Sequence, residues 1–148
     1  MPRIRRILHA TDFSSASGAA FAKAVELAKA NGAELWLAHV VNPVVPMGAD
    51  GYVSPKVYTD LETAARAAAD KRLRALAARA KKAGARARPL LLEGLAHDQI
   101  TRAARSKRVD MLVIGTHGRT GLARFFLGSV AGRVVAQAPC PVLTVRGR

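Results

Sequence analysis

The segment VDMLVIGTHGRTGLARFFLGSVAGRVV, residues 109–135, decides how the rest of the chain is read. DMLVIGTHG at 110–118 is a short, almost continuously apolar run that breaks into glycine, the pattern of a strand covered on both faces of a parallel sheet. Ser129 to Gln137 has the spacing of a short helix. Between them stand Gly115, Gly118, Gly121 and Gly128, the last directly before Ser129. Glycine lets a backbone turn its amides toward an anion at close range, and the free amides and positive dipole end of a following helix attract negative oxygen. The pattern fits a phosphate cradle with the Ser129 hydroxyl as a further donor. The competing reading is a surface loop that its glycines only shape. A Walker A loop is excluded because no Gly-Lys-Ser/Thr follows, and a dinucleotide fingerprint because the glycines flank the fourth strand and not the first.

Outward from this segment the chain repeats strand, turn and helix. RRILHA, 5–10, reads as a strand ending in Thr11-Asp12-Phe13-Ser14-Ser15, which is rich in helix-capping residues. From Ser17 to Ala30, Ala20, Phe21, Ala24, Val25, Leu27 and Ala28 recur at three- and four-residue spacings, and Asn31-Gly32 supplies a left-handed stop. ELWLAHVV, 34–41, is the second strand, closed by Asn42-Pro43. Residues 42–58, with three prolines and two glycines, predict a long connection. The longest helix is expected over 59–83, with Leu61, Ala65, Ala69, Leu73 and Leu76 as its apolar stripe and Glu62, Arg66, Asp70 and Arg74 as alternating charges; Gly84 stops it. ARARPLLLEG at 85–94, DQITRAARSKR at 98–108 and PVLTVRG at 141–147 read as the third strand, third helix and fifth strand.

Five strands alternating with four helices predict an α/β fold, a three-layer open parallel five-stranded sheet, because each parallel connection needs a crossover. In such sheets ligands bind beyond the carboxyl ends of the strands where strand order reverses, which singles out the loops after strands one and four. After strand one comes Ala10-Thr11-Asp12. An aspartate there can accept hydrogen bonds from ribose hydroxyls or an adenine amino group, with backbone near Val40 at the base edge; equally, it can cap the following helix.

Length and composition bound the remaining classes. A chain of 148 residues and 15.7 kDa, 50% hydrophobic, fits one domain over 1–148 with a full core. No apolar run reaches the roughly 18 residues that cross a bilayer, and the N-terminus lacks a secretory pattern, so a cytoplasmic protein with no membrane partner is expected. Cys140, the sole cysteine, excludes an internal disulfide and a cysteine-based zinc site; between Pro139 and Pro141 it is expected to be a buried, inert thiol. The net charge of +14 favours nucleic acid, phosphometabolites or acidic lipid. The densest cluster, KRLRALAARAKK at 71–82, would point several ways on a helix and carries no alternating aromatics. A solvated basic face is therefore favoured there, and a nucleic-acid surface is kept as the alternative. His9, His39 and His117 fall at or near strand ends, but at different depths and with no close helical pair, so no metal site is expected. His97 is placed at the start of the third helix and Trp36 in the core.

RRILHATDFS, LAHVV, the 109–135 segment and APCPVLTVR together resemble the universal stress protein family along the whole chain. Gly115, Gly118, Gly128 and Ser129 fulfil the G-2x-G-9x-G-S/T spacing of its nucleotide-binding members. The resemblance implies an adenine nucleotide alpha hydrolase-like sheet of strand order 3-2-1-4-5, with ATP, or ADP or AMP, between strands one and four and Mg²⁺ or Mn²⁺ accompanying the phosphates. It implies that Asp12 meets the ribose or adenine, that Ala10 and Thr11 line the base pocket, that Val40 contacts adenine, and that Ile114 and Gly115 lie beside the ribose. Gly118, Gly128, Ser129 and Val130 would cradle the phosphates, with Arg119 in the same loop. Ala10 stands where the family often has proline, a position that contributes mainly backbone.

The resemblance further implies a stress-response regulatory role and a homodimer paired through the C-terminal strand, 141–146, whose apolar edge would otherwise lie open. For catalysis the phosphate loop offers Arg119, Arg124, Arg133 and His117, and no acid occurs from Met111 to Arg148. At most slow ATP hydrolysis is expected.

Overall fold

The computed structural model describes residues 3–43, 54–116 and 127–147. Along them run β1 (Arg6–Ala10), α1 (Ser17–Asn31), β2 (Glu34–Val41), α2 (Pro55–Lys82), β3 (Arg86–Glu93), α3 (Ala96–Ser106), β4 (Met111–Gly115), α4 (Ser129–Gln137) and β5 (Val142–Val145). The five strands form one sheet in the order β3-β2-β1-β4-β5, every pair parallel. The strand alternation of side chains divides the core in two. Ile7, Leu35, Leu37 and Val113 pack with Phe21, Ala24 and Leu73 of α1 and α2; Leu8, Ala38, Leu112 and Ile114 pack with Ile100, Ala104 and Val134 of α3 and α4. Both faces of β1 and β4 are covered, which is why their sequences are apolar at consecutive positions.

α1 ends as its sequence requires, at Gly32 with φ 60°. α2 differs from its expected span. It starts at Pro55, four residues before 59, because Ser54 caps the amide of Val57 and proline at the first helical position gives up only an amide that has no helical partner. Of its expected stripe, Leu61 is 51% exposed and Ala65 is also exposed; burial starts at Ala69 and continues through Leu73, Ala77 and Ala80. The reason is length. Twenty-eight helical residues run about 42 Å, whereas the eight of β2 run about 26 Å, so the first half of α2 overhangs the sheet. Arg74 pairs with Asp70 at 2.8 Å as spaced, but Arg66 reaches across to Glu93 of β3.

Smaller corrections concern α3, which starts at Ala96 and not at 98, and β5, which is shorter than 141–147. Cys140 is half-buried, and desolvation of the thiolate, with the Asp110 charge nearby, pushes its pKa up against a hydrogen bond to the Leu112 backbone. Trp36 is likewise only half-buried, at the rim of the core and not inside it. No helix among the described residues is long and apolar enough to cross a membrane.

Candidate functional site

β1 and β4 lie side by side at the centre of the sheet, and the helices that follow them, α1 and α4, go to opposite faces. The chain that continues from these two strands is thus covered on opposite faces, and a crevice lies between their carboxyl ends. A cavity of about 730 Å³ opens there, lined by Ala10, Thr11, Asp12, Val40, Ile114, Gly115, Gly128, Ser129 and Val130. These are all the sequence-predicted site residues except Gly118 and Arg119, which lie outside the described residues.

The β1 side of the crevice is held by short polar bonds. The Thr11 amide continues the ladder onto the Ala38 carbonyl at 2.9 Å. The Ser17 hydroxyl donates to the Ser14 carbonyl at 2.8 Å, so across the 3.1 Å contact with Ser17 it is the Thr11 hydroxyl that donates. Thr11 Oγ1 in turn accepts from the Phe13 amide at 3.0 Å. Asp12 Oδ1 accepts from the Ser14 amide at 2.9 Å, a turn two residues on, while α1 begins only at Ser17. The carboxylate thus shapes the turn ahead of the helix; it is not the cap of α1.

Three of the further lining residues, Phe13, His39 and Arg72, were not assigned to the crevice from sequence because they meet only in space. Phe13 sits at φ 62°, a left-handed conformation that bulky residues rarely adopt. Its ring lies 4.3 Å from that of His39 on β2, and the Arg72 guanidinium of α2 lies 4.5 Å over it. His39 Nδ1 donates to the Thr11 carbonyl at 2.8 Å. Local sequence offers one signal for the Phe13 conformation, the run of turn-forming residues around it, and none for the stack.

The β4 side ends at Thr116, whose amide donates to Val145 at 3.0 Å and whose carbonyl accepts from Gly128 at 2.6 Å, returning the chain to the sheet just before α4. The helical ladder begins with Gly132 donating to Gly128 at 2.8 Å, and no side chain caps the helix at its first residue. The amides of Ser129, Val130 and Ala131 precede that ladder and, with the helix dipole, present positive potential at the cavity wall. Thr116 Oγ1 is buried with no partner among the described residues.

Among the described residues, His9, His39 and His97 each bond to different partners. His9 is fully buried on β1, its Nδ1 donating to the Val113 carbonyl at 3.0 Å. Burial holds its pKa down at about 4, against the raising effects of that bond and of the Asp12 charge. His97 accepts from Arg133 at Nε2, 3.1 Å, so its Nδ1 carries the proton toward Gln137 Oε1, 3.3 Å away. His117 lies outside the described residues, and among them no three metal-ligating side chains gather.

The sequence profile described as "Universal stress protein family" matches residues 3–146. A universal stress protein of Methanocaldococcus jannaschii is 35% identical over 144 residues, covering 96% of this chain and 82% of that one. Among solved structures, the universal stress protein UspA of Lactobacillus plantarum superposes with a TM-score of 0.83 at 28% identity, covering 99% of this chain and all of that one. A universal stress protein solved in complex with cAMP superposes with a TM-score of 0.70 at 26% identity, covering 99% of this chain and 100% of that one.

Proposed function

The chain belongs to the universal stress protein family, and from this premise we propose that it is a stress-response regulatory protein that binds an adenine nucleotide, ATP foremost, in the crevice between β1 and β4. The observation that carries the reading is the joint placement of Asp12, Val40 and the uncapped start of α4 around one cavity of about 730 Å³. That volume falls within the range of small-molecule sites, with room for a nucleoside and its phosphates. Ala10, Val40 and Ile114 supply apolar wall for a base, Asp12 an acceptor for ribose hydroxyls, and the amides of Ser129 to Ala131 the donors for phosphate. The relative solved with cAMP supports the same ligand class. Gly118 completes the spacing on which the phosphate reading rests, with Arg119 beside it in the sequence.

A divalent ion, Mg²⁺ or Mn²⁺, enters this reading with the phosphates, and Asp12 and the Ser129 hydroxyl are the oxygen donors of this chain that suit it. Asp12 is the one carboxylate among the described lining residues and already accepts from Ser14, so the residues bind and orient better than they activate water. Hydrolysis is at most slow.

We also read the molecule as a homodimer through β5. The two sheet edges differ in chemistry. β3 carries Pro89, which has no amide to offer, between exposed Arg86 and Arg88 and a partly covered Leu90. β5 is Val-Leu-Thr-Val without charge or proline. Pro141 and Val145 turn their carbonyls to β4, accepting from Leu112 and Thr116, so the alternation of a parallel strand turns the peptide groups of Val142 and Thr144 away from β4. An unguarded edge of that kind favours pairing with a second copy.

The test of the nucleotide reading is thermal unfolding of nucleotide-stripped protein with Mg-ATP and with Mg-GTP at low and high salt. At about 100 times the dissociation constant, linkage predicts about 2.7 kcal/mol of stabilisation, several degrees for a chain of this size. A shift that prefers ATP and persists in salt supports the reading; equal shifts for every polyanion that fade with salt overturn it.

A further inference from the structure

A parallel sheet with helical crossovers sends every strand start and every helix end to one pole, opposite the crevice. In this chain that pole is basic. Register sets Arg6, Glu34 and Arg86 in one row across β1, β2 and β3, a span of about 10 Å. The helix ends add Lys29 and Lys81, and the segment before β1 adds Arg3. These five cations come from four stretches of the chain, Arg3 with Arg6, then Lys29, Lys81 and Arg86, so no single charge run announces them together.

Part of this charge is anchored by the helices themselves. Arg3 donates to the Asn31 carbonyl at 3.4 Å, Arg86 to the Gly32 carbonyl, and Arg6 to the Lys107 carbonyl at 3.2 Å. The end of a helix offsets only about half a charge, so the guanidinium groups are held in place with about half of their charge uncompensated. Two acids stand among them. Glu34 pairs with Arg88 at 3.1 Å, and Asp110 accepts the backbone amides of Arg5 and Arg6 at 2.8 and 2.9 Å, which leaves their side chains out of that contact. A cleft of about 320 Å³ lies between Glu34, Lys81, Arg86 and Arg88.

We propose that this pole binds the phosphodiester backbone of duplex nucleic acid. Five strands at about 4.8 Å make a face roughly 19 Å across, over which a duplex presents about eleven negative charges. Arginine, which dominates the row, matches phosphate with two parallel N–H donors. A membrane surface fits less well, because among the described residues five of the six exposed large apolar side chains, Val57, Leu61, Leu95, Leu127 and Val130, belong to the starts of α2, α3 and α4, at the opposite end; Val135 alone lies toward the end of α4, and an interfacial anchor needs several apolar groups beside its cations. The helical cluster at 71–82 does not form this surface as a unit; it contributes Lys81 and sends Arg72 to the crevice.

A built-in reporter lies at the same end. Trp36, the only tryptophan, is flanked by the Lys107 ammonium at 4.5 Å and the Arg88 guanidinium at 5.6 Å from its ring centre. Occupation of the pole is therefore expected to change its emission, and Mg-ATP is not.

The experiment is fluorescence anisotropy of a fluorescein-labelled mixed-sequence DNA duplex titrated with the full chain, over about 50 to 200 mM salt. If about four phosphates are engaged, log affinity falls against log salt with a slope near −3.6, and the Lys81→Glu/Arg86→Glu protein loses about two contacts, bringing the slope near −1.8 with at least a tenfold loss of affinity. The charge-matched Arg74→Glu/Arg102→Glu protein, altered on the outer helix surfaces, is expected to lose less than threefold. Should the first variant fold poorly, Lys29→Gln/Lys81→Gln removes two charges without touching the carbonyl contacts and is expected to flatten the slope likewise. Equal losses in pole and control variants, no binding at the lowest salt, or binding to phosphatidylserine vesicles in place of the duplex would each overturn the proposal. An Mg-ATP thermal shift retained in the pole variants keeps this result separate from the fate of the crevice reading.

Discussion

Lowering the pH from 7 to 4 is expected to weaken this protein through one buried residue, His9. The ring is fully buried, its Nδ1–H is committed to Val113, and Nε2 has no partner among the described residues. Protonation would place an N–H donor and a full charge in an apolar surrounding that includes the Phe21 ring, 6.1 Å away. Burial accordingly lowers the pKa to about 4 from 6.5. The unfolded chain takes up the proton near 6.5 and the folded one only near 4, so the stability due to neutral burial is complete above about pH 6.5 and is lost as pH falls toward 4. The slope in that window is about 1.4 kcal/mol per pH unit, which gives a loss of about 2 kcal/mol at pH 5 and about 3.4 kcal/mol at the lower limit.

Urea unfolding at pH 7, 6 and 5 measures this directly, with His9→Asn as reference. Asparagine can keep a donor near the Val113 carbonyl and does not titrate, while the carboxylates titrate alike in both proteins and cancel in the difference. The reference is expected to be less stable at pH 7, because the ring leaves a void, and to lose about 2 kcal/mol less than the native chain by pH 5. Parallel profiles for the two proteins would refute the assignment of a neutral, desolvated imidazole. So would a His9 ring resonance that titrates near 6.5 in the folded state.

Other expectations follow from packing and edges. Leu73→Ala, which removes the fully buried anchor of α2, should cost about 2–5 kcal/mol in chemical unfolding, whereas Leu61→Ala on the overhanging half should change stability by less than about 0.5 kcal/mol. A Cβ at Gly147 would meet the Ala16 backbone at 3.0 Å, so Gly147→Val should lower the melting temperature, while Gly18→Ala, where nothing lies within 4 Å, should raise stability by roughly 0.5–1 kcal/mol. Ser129→Trp should abolish the ATP-selective thermal shift with little change in the ligand-free melting temperature, since Ser129 is exposed. Thr144→Pro removes an amide turned away from β4 and should shift the protein from dimer to monomer in sedimentation equilibrium; an unchanged mass would remove β5 as the pairing edge.

The elements were legible wherever a short-range rule governs. Apolar runs covered on both faces marked β1, β2 and β4, and Gly32 marked the end of α1, because burial on two faces and a left-handed stop leave local traces. The start of α2 was not legible in the same way. Pro55 reads equally as a loop residue or as a first helical residue, and only the Ser54 cap distinguishes them. The burial of α2 was legible from Ala69 onward but not before, since a periodic stripe does not disclose how far the sheet beneath it extends.

What the chain by itself determined is the α/β class and the place of the crevice beyond β1 and β4, since crossover connections oblige parallel strands to reverse order there. What only the tertiary structure decided are the properties that sum over neighbours distant in sequence. Arg72 lies over Phe13, His9 is held neutral beside Phe21, and cations from separate stretches gather at one pole. Periodicity is a relation between residues a few positions apart, whereas desolvation and electrostatic potential depend on every group within several ångströms, and those groups come together only when the chain folds.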